Sequence, residues 1–330
     1  YNKNNILSSD GTTFDTEKLA AQCPVMIITG DIPVLENTSN KKEQIIVDVN
    51  YINMQDPTKS FTMKGAAMRP QGTSSMSYPK KNFRLYTHQV DDTEVYDFQG
   101  NKVEDKLYAF KDNAQPVDVW CLKADYAESS GTHNTGIARL WNKVMYDAVI
   151  DGEHKLRTKA QVTALSNNYK YDVRTTVDGF PINLFYKLDD DSELVFIGKY
   201  NFNNDKSTES VYGFRDIPGF DNSKVECWEV LNNGDPIALF KTVDNFDKAW
   251  DTAFEGRYPD GNTEVSNLKN FCTWVTGSNG KLTSFKRDKW EHLDVYKVAA
   301  YYVYLMRFGA VDQTVKNAML TTEDGQHYFY

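Results

Sequence analysis

The sequence predicts an α+β protein with a β-rich N-terminal lobe and a mainly helical C-terminal lobe. Two patterns predict it. From residue 23 to 87, short apolar runs alternate with polar positions and stop at Gly, Pro and Asn, as half-buried strands do. From residue 246 to 308, apolar residues recur three and four apart, as on one face of a helix. The 330 residues are 40% hydrophobic, enough to bury a sizeable core. They divide into a polar arm (1–20), a β-rich lobe with one inserted helix (21–235) and a helical lobe (236–330).

In chain order, Cys23–Gly30, Gln44–Tyr51, Phe61–Met68 and Asn82–Thr87 read as strands. Pro70-Gln71-Gly72-Thr73-Ser74-Ser75 is the loop between the last two. From Thr135 a helix places Ile137, Leu140, Trp141, Val144, Met145 and Ala148 on one face, and Gly152 closes it. Gln161–Ser166, Pro181–Leu188, Glu193–Tyr200 and Lys224–Leu231 read as further strands. Phe246 to Phe254 and Val265 to Val275 each carry an apolar face. Lys289–Phe308 is apolar almost all round, which predicts a buried core helix ended by Gly309.

Bulk properties narrow the function. A net charge of −9 argues against general nucleic-acid binding, which needs clustered Lys and Arg, but leaves room for one basic pocket. No run of about 20 apolar residues predicts a membrane span. The chain opens on Tyr1 with no apolar signal region, the profile of a processed chain or a fragment. Cys23, Cys121, Cys227 and Cys272 are far apart and none forms a C-x-x-C pair, so free thiols are expected rather than a zinc site. Twenty Tyr and 18 Phe suit amphipathic assembly surfaces.

Four stretches have residue types that can do chemistry. The Gly72–Ser75 loop presents backbone N–H groups and the hydroxyls of Ser74 and Ser75, with Lys80 and Lys81 just beyond, a pattern that can face an anion. Leu122 to Tyr126 leads towards the inserted helix, where Asp125 and His133 either line a cleft or shape the helix entry. Phe196 to Lys206 reads as a strand running into an Asn-rich loop. Asp312 and Asn317 follow a core helix and precede a short strand. Kinase catalytic loops use that spacing, one carboxylate for the hydroxyl proton and one carboxamide for Mg²⁺.

Together these stretches resemble the CotH family of spore-coat-type atypical kinases. The resemblance rests on Gln71-Gly72-Thr73-Ser74-Ser75 followed by Lys80-Lys81-Asn82-Phe83-Arg84-Leu85, on Leu122 to Tyr126, and on Asp312…Asn317, and it spans roughly residues 20 to 330. It implies a bilobed protein-kinase-like fold that binds ATP and Mg²⁺ and transfers phosphate to Ser or Thr of coat proteins. Asp312 would be the catalytic carboxylate and Asn317 a metal ligand. Lys80 or Lys81 would meet phosphate beside Gly72, Ser74 and Ser75. The chain departs from the pattern in two places. Ala310-Val311 replaces the usual His-Arg, and the family's Asp-rich metal motif would fall beyond Tyr330.

Modules of this family also occur in secreted surface proteins and phage virion proteins. The resulting expectation is a CotH-like structural or interaction part of a virion, such as a phage tail, or of another surface assembly. Its partners would be proteins, other copies of itself included. The alternative is an active atypical kinase of a spore coat or secreted setting. A glycosidase or carbohydrate-binding reading has no pair of carboxylates to support it.

Overall fold

A computed structural model describes residues 14–109, 111–127, 133–206, 212–231, 234–314 and 316–330. The chain forms two compact units, residues 1–139 with 176–206 and residues 140–175 with 207–330.

The first unit is a β-barrel. Its strands are β1 (Val25–Thr29), β2 (Ile45–Ile52), β3 (Phe61–Gln71), β4 (Asn82–Tyr86), β5 (Glu94–Tyr96), β6 (Val119–Lys123), β9 (Gly179–Lys187) and β10 (Val195–Asn204). The sheet order is β2-β1-β9-β10-β6-β4-β3, and β3 also pairs β2, so seven strands close into a ring while β5 flanks β3. All pairings are antiparallel except β1–β9. Closure leaves the seven strands without an unpaired edge.

The period-2 alternation fills the ring. Val47, Val49 and Tyr51 of β2, Phe83 and Leu85 of β4, Trp120 and Leu122 of β6, and Tyr200 and Phe202 of β10 belong to one buried cluster. Aromatic rings dominate it: Trp120 stacks on Phe202 at 4.5 Å and Tyr51 on Phe61 at 5.0 Å. Helix α2 (Ile32–Asn37) adds Ile32 and Leu35 to the cluster. Helix α1 (Thr16–Ala20) packs Leu19 and Ala20 against Val25 and Phe185.

The second unit contains its own four-stranded antiparallel sheet, ordered β12 (Phe254–Tyr258), β11 (Glu226–Val230), β13 (Met319–Thr322), β14 (Tyr328–Phe329). Helices α5 (Asp235–Lys241), α6 (Phe246–Ala253) and α7 (Ser266–Ser278) supply Leu239, Phe246, Leu268 and Phe271 to the core around Trp228. Helix α3 (Ala138–Asp147), the hairpin of β7 (Val149–Ile150) and β8 (His154–Lys155), and helices α4 (Lys159–Ser166), α8 (Leu282–His292) and α9 (Val295–Phe308) complete the named elements. Trp141 and Met145 of α3 pack with Tyr301 and Tyr304 of α9.

Three expectations are corrected. The bilobed protein-kinase-like fold is not the one adopted: the N-terminal strands close on themselves as a seven-stranded barrel, and the helical C-terminal region carries a second sheet. Gln161–Ser166 belongs to helix α4, not a strand. Thr158 and Gln161 form a reciprocal capping box that starts the helix there. The single helix expected over Lys289–Phe308 is broken at Leu293-Asp294. Asp294 caps α9 by accepting from Lys297 N, and its own N–H bonds to Tyr328 O at 3.0 Å. Among the described residues no helix is long and apolar enough to cross a membrane.

Candidate functional site

Lys80 and Lys81 sit in the barrel unit, and their ammonium groups face main chain. Lys80 Nζ donates to Ala124 O at 2.9 Å and to Lys199 O, and lies 4.3 Å over the Tyr200 ring. Burial holds its pKa below the ordinary lysine value, Lys199 lowers it further and Asp125 opposes the shift. Lys81 Nζ donates to Met76 O, and Lys81 O accepts from the Tyr200 hydroxyl at 3.0 Å. Both lysines tie the entry of β4 to neighbouring chain.

Asp125 belongs to the same cluster. Its buried carboxylate accepts from Asn201 Nδ2 and lies 3.4 Å from Lys199 Nζ. Ala124 N donates to Asn82 Oδ1 at 2.7 Å. Asp125 has φ +47°, a left-handed conformation that non-glycine residues adopt at a cost. The cluster clamps the end of β6 between β4 and β10. His133, considered beside Asp125 on sequence, has its side chain outside the described residues.

The Gly72 loop is a tight 3₁₀ turn over Ser74–Ser77. Gly72 has φ +120°, and a Cβ there would fall 1.9 Å from Ser75 Oγ, so the turn requires glycine. Ser75 Oγ accepts from Asn82 Nδ2 at 3.4 Å, and Ser74 O accepts from the Ser77 hydroxyl at 2.8 Å. An open cavity of about 330 Å³ lies alongside, lined by Ser39, Asn40, Lys41, Lys42, Gly72, Thr73 and Met76. Of the residues predicted to hold phosphate, only Gly72 lines it. Lys41 and Lys42, which no motif of the sequence singles out, are its lysines. Lys41 and Lys42 form a turn just before β2, and Gly72 follows the end of its antiparallel partner β3, so the β2–β3 pairing brings the two chain segments to one end of the sheet.

Asp312 and Asn317 lie in the second unit. Asp312 is in a 3₁₀ turn, Val311–Thr314, and its side chain lies outside the described residues. Asn317 is exposed with φ +52°, and its N–H bonds to Val230 O at 3.0 Å. Among the described residues, no three His, Cys, Asp or Glu side chains converge as a metal site. A second open cavity, about 420 Å³, borders Arg157, Lys159, Phe220, Lys224, Glu323 and Asp324. Glu323 is committed there: it accepts from the N–H groups of Lys159 and Ala160 at 2.7 and 2.9 Å, and Lys297 Nζ is 3.9 Å away. Burial pushes its pKa up, partly offset by Lys297.

Sequence reading missed the surface of α9. Expected as a core helix, it buries only part of its circumference. Tyr302, Val303 and Met306 are 62%, 65% and 65% exposed. With Ala299, also exposed, and the half-buried Val295 they follow the spacing i, i+4, i+7, i+8, i+11. At 3.6 residues per turn those five positions span about 100° of arc. The stripe is continuous, and the Tyr302 hydroxyl is the one polar group among its five side chains. On α8, Leu282, Phe285 and Trp290 are exposed as well. The sequence signal was present, since an all-round apolar helix is either buried or awaiting cover, but only burial separates the two cases.

No protein-family model matches the chain, and no curated protein matches it.

Proposed function

We propose that this chain is a structural, protein-binding part of a larger assembly, with the α9 stripe as its contact surface. The observation that carries the reading is the exposure of Tyr302, Val303 and Met306 side by side on a helix whose opposite face already packs on Trp141. Three large apolar side chains in a row favour cover over water at about 25 cal/mol per Å² buried. Contiguous apolar surface of this kind marks interaction sites. The sequence resemblance supplies the setting, a phage tail or another surface assembly.

Transfer of phosphate from Mg-ATP draws less support. Lys80 and Lys81 would have to leave the carbonyls of Ala124, Lys199 and Met76 to meet a phosphate.

The test is photo-crosslinking from the stripe in the producing cells. Val303→p-benzoyl-phenylalanine is expected to give a discrete adduct with a protein partner, whereas the same group at Asp251, an exposed position on α6, gives none. Equal, diffuse labelling from both positions overturns the proposal.

A further inference from the structure

We infer that the cavity lined by Arg157 and Phe220 binds the carboxylate of an apolar amino-acid residue, carried by a free acid or by the end of a polypeptide chain. The cavity, about 420 Å³, lies within the second unit, and none of the α9 stripe residues lines it. Its guanidinium is held in place by the protein. Arg157 Nε donates to Tyr146 O at 2.6 Å, one of the last carbonyls of α3, and the guanidinium carbon lies 5.3 Å from the centre of the Tyr146 ring. The next residue, Thr158, caps α4 through its capping box with Gln161, which fixes the main chain that carries Arg157. Among the described residues, no group takes the Nη1 and Nη2 donors. Two N–H donors on one oriented plane form the fork that a carboxylate meets with both oxygens.

Apolar side chains supply the rest of the recognition. Phe220 borders the cavity, and its ring stacks on the buried Phe214 with centroids 6.0 Å apart and planes 9° apart, which sets its orientation from behind. Val162 of α4, half exposed, adds an aliphatic wall. An apolar side chain covered there gains about 25 cal/mol per Å² removed from water. The other charges of the lining already have partners. Lys159 Nζ is 2.9 Å from Asp324 Oδ2, Lys224 Nζ is 3.9 Å from Asp221 Oδ2, and Glu323 accepts from the N–H groups of Lys159 and Ala160. Arg157 has no carboxylate within salt-bridge reach among the described residues. The three carboxylates of the same lining oppose a second negative charge on the ligand, which favours a monoanion over a dianion such as phosphate. A carboxylate next to an apolar side chain has that charge and that shape.

Isothermal titration calorimetry of the full chain tests this, with N-acetyl-phenylalanine as the probe. Saturable binding with a Kd below about 1 mM is expected. N-acetyl-phenylalanine amide, which lacks the charge, is expected to bind at least about tenfold more weakly, and inorganic phosphate to bind more weakly than the acid. Arg157→Gln should weaken binding of the acid by about tenfold or more. Arg157 also holds the end of α3, so Val162→Asp serves as the second variant. Its exposed position leaves the circular dichroism unchanged, and its carboxylate repels the acid to a similar extent. An acetylated Gly-Gly-Gly-Phe peptide distinguishes the two sources: binding at least as tight as that of the free acid assigns a chain end, and its loss assigns a free acid. Acid and amide binding equally, phosphate binding more tightly than the acid, or full binding retained in Val162→Asp would each overturn the site. Absence of saturable binding by both acid probes would overturn it as well.

Discussion

The barrel interior and helix α9 use the same kinds of side chain for opposite ends. In the barrel, Trp120, Phe202, Tyr51 and Phe61 are turned inward and sealed by ring closure. On α9, Tyr302, Val303 and Met306 are as apolar as many core residues yet face water. A closed sheet satisfies its own apolar face, whereas a helix with apolar residues all round can satisfy only the faces its own fold covers. The difference separates the part of this chain that stabilises it from the part that stands ready for another surface.

That comparison can be broken most easily in the core. Trp120→Ala empties a site stacked on Phe202 and should cost about 3–5 kcal/mol in urea unfolding. A loss below about 1 kcal/mol would mean the barrel is not the tightly packed ring described. Glu323→Ala strands the α4 N–H groups and a nearby lysine, and should cost about 3 kcal/mol by the same measurement. Gly72→Ala forces a side chain against Ser75 at a positive φ, and should cost about 1–3 kcal/mol.

Asp324 sharpens the comparison through pH. Burial pushes its pKa up, but hydrogen bonds from His327 N, the Lys159 ammonium and the His327 ring outweigh that and hold it well below the ordinary value. A carboxyl lowered in the fold stabilises above its unfolded pKa, about 4, and that stability is lost as pH falls through the folded value. Stability of the second unit should therefore decline below about pH 4, and Asp324→Asn should flatten that slope. An unchanged slope in the variant would remove Asp324 from the account.

The smallest expected effect is chemical. Burial pushes the Cys121 thiol to about 11 and the Cys227 and Cys272 thiols to about 12. Native protein at neutral pH should leave all three unlabelled by a thiol reagent, and denatured protein should label them fully.

Much of the barrel was legible in sequence because strands announce themselves locally. The runs read at 23–30, 44–51, 61–68 and 82–87 correspond to β1 to β4 within a few residues, and 181–188 and 193–200 overlap most of β9 and about half of β10. Closure was not legible. The parallel pairing of Val25 with Asn183 spans most of the unit's length, and no turn signal encodes it. At residues 161–166 a short apolar run outweighed the Thr158–Gln161 capping pair that decides for helix. At Leu293-Asp294 hydrophobic continuity hid an N-cap.

The site was less legible still. Gly72 was singled out as a loop residue and does form a turn that only glycine fits. Lys80 and Lys81 were read as phosphate-facing because charge pattern cannot show that main-chain carbonyls already claim them. Lys41 and Lys42 needed the β2–β3 register to be placed beside Gly72. The α9 stripe needed burial itself.

The most direct measurement pairs urea unfolding of Val303→Ser, Met306→Ser with crosslinking of the same variant from a p-benzoyl-phenylalanine at Tyr302. The account predicts stability within about 0.5 kcal/mol of wild type, as for exposed positions, together with a weakened partner adduct. A loss of several kcal/mol with the adduct unchanged would show that the stripe packs inside its own chain, and would contradict it.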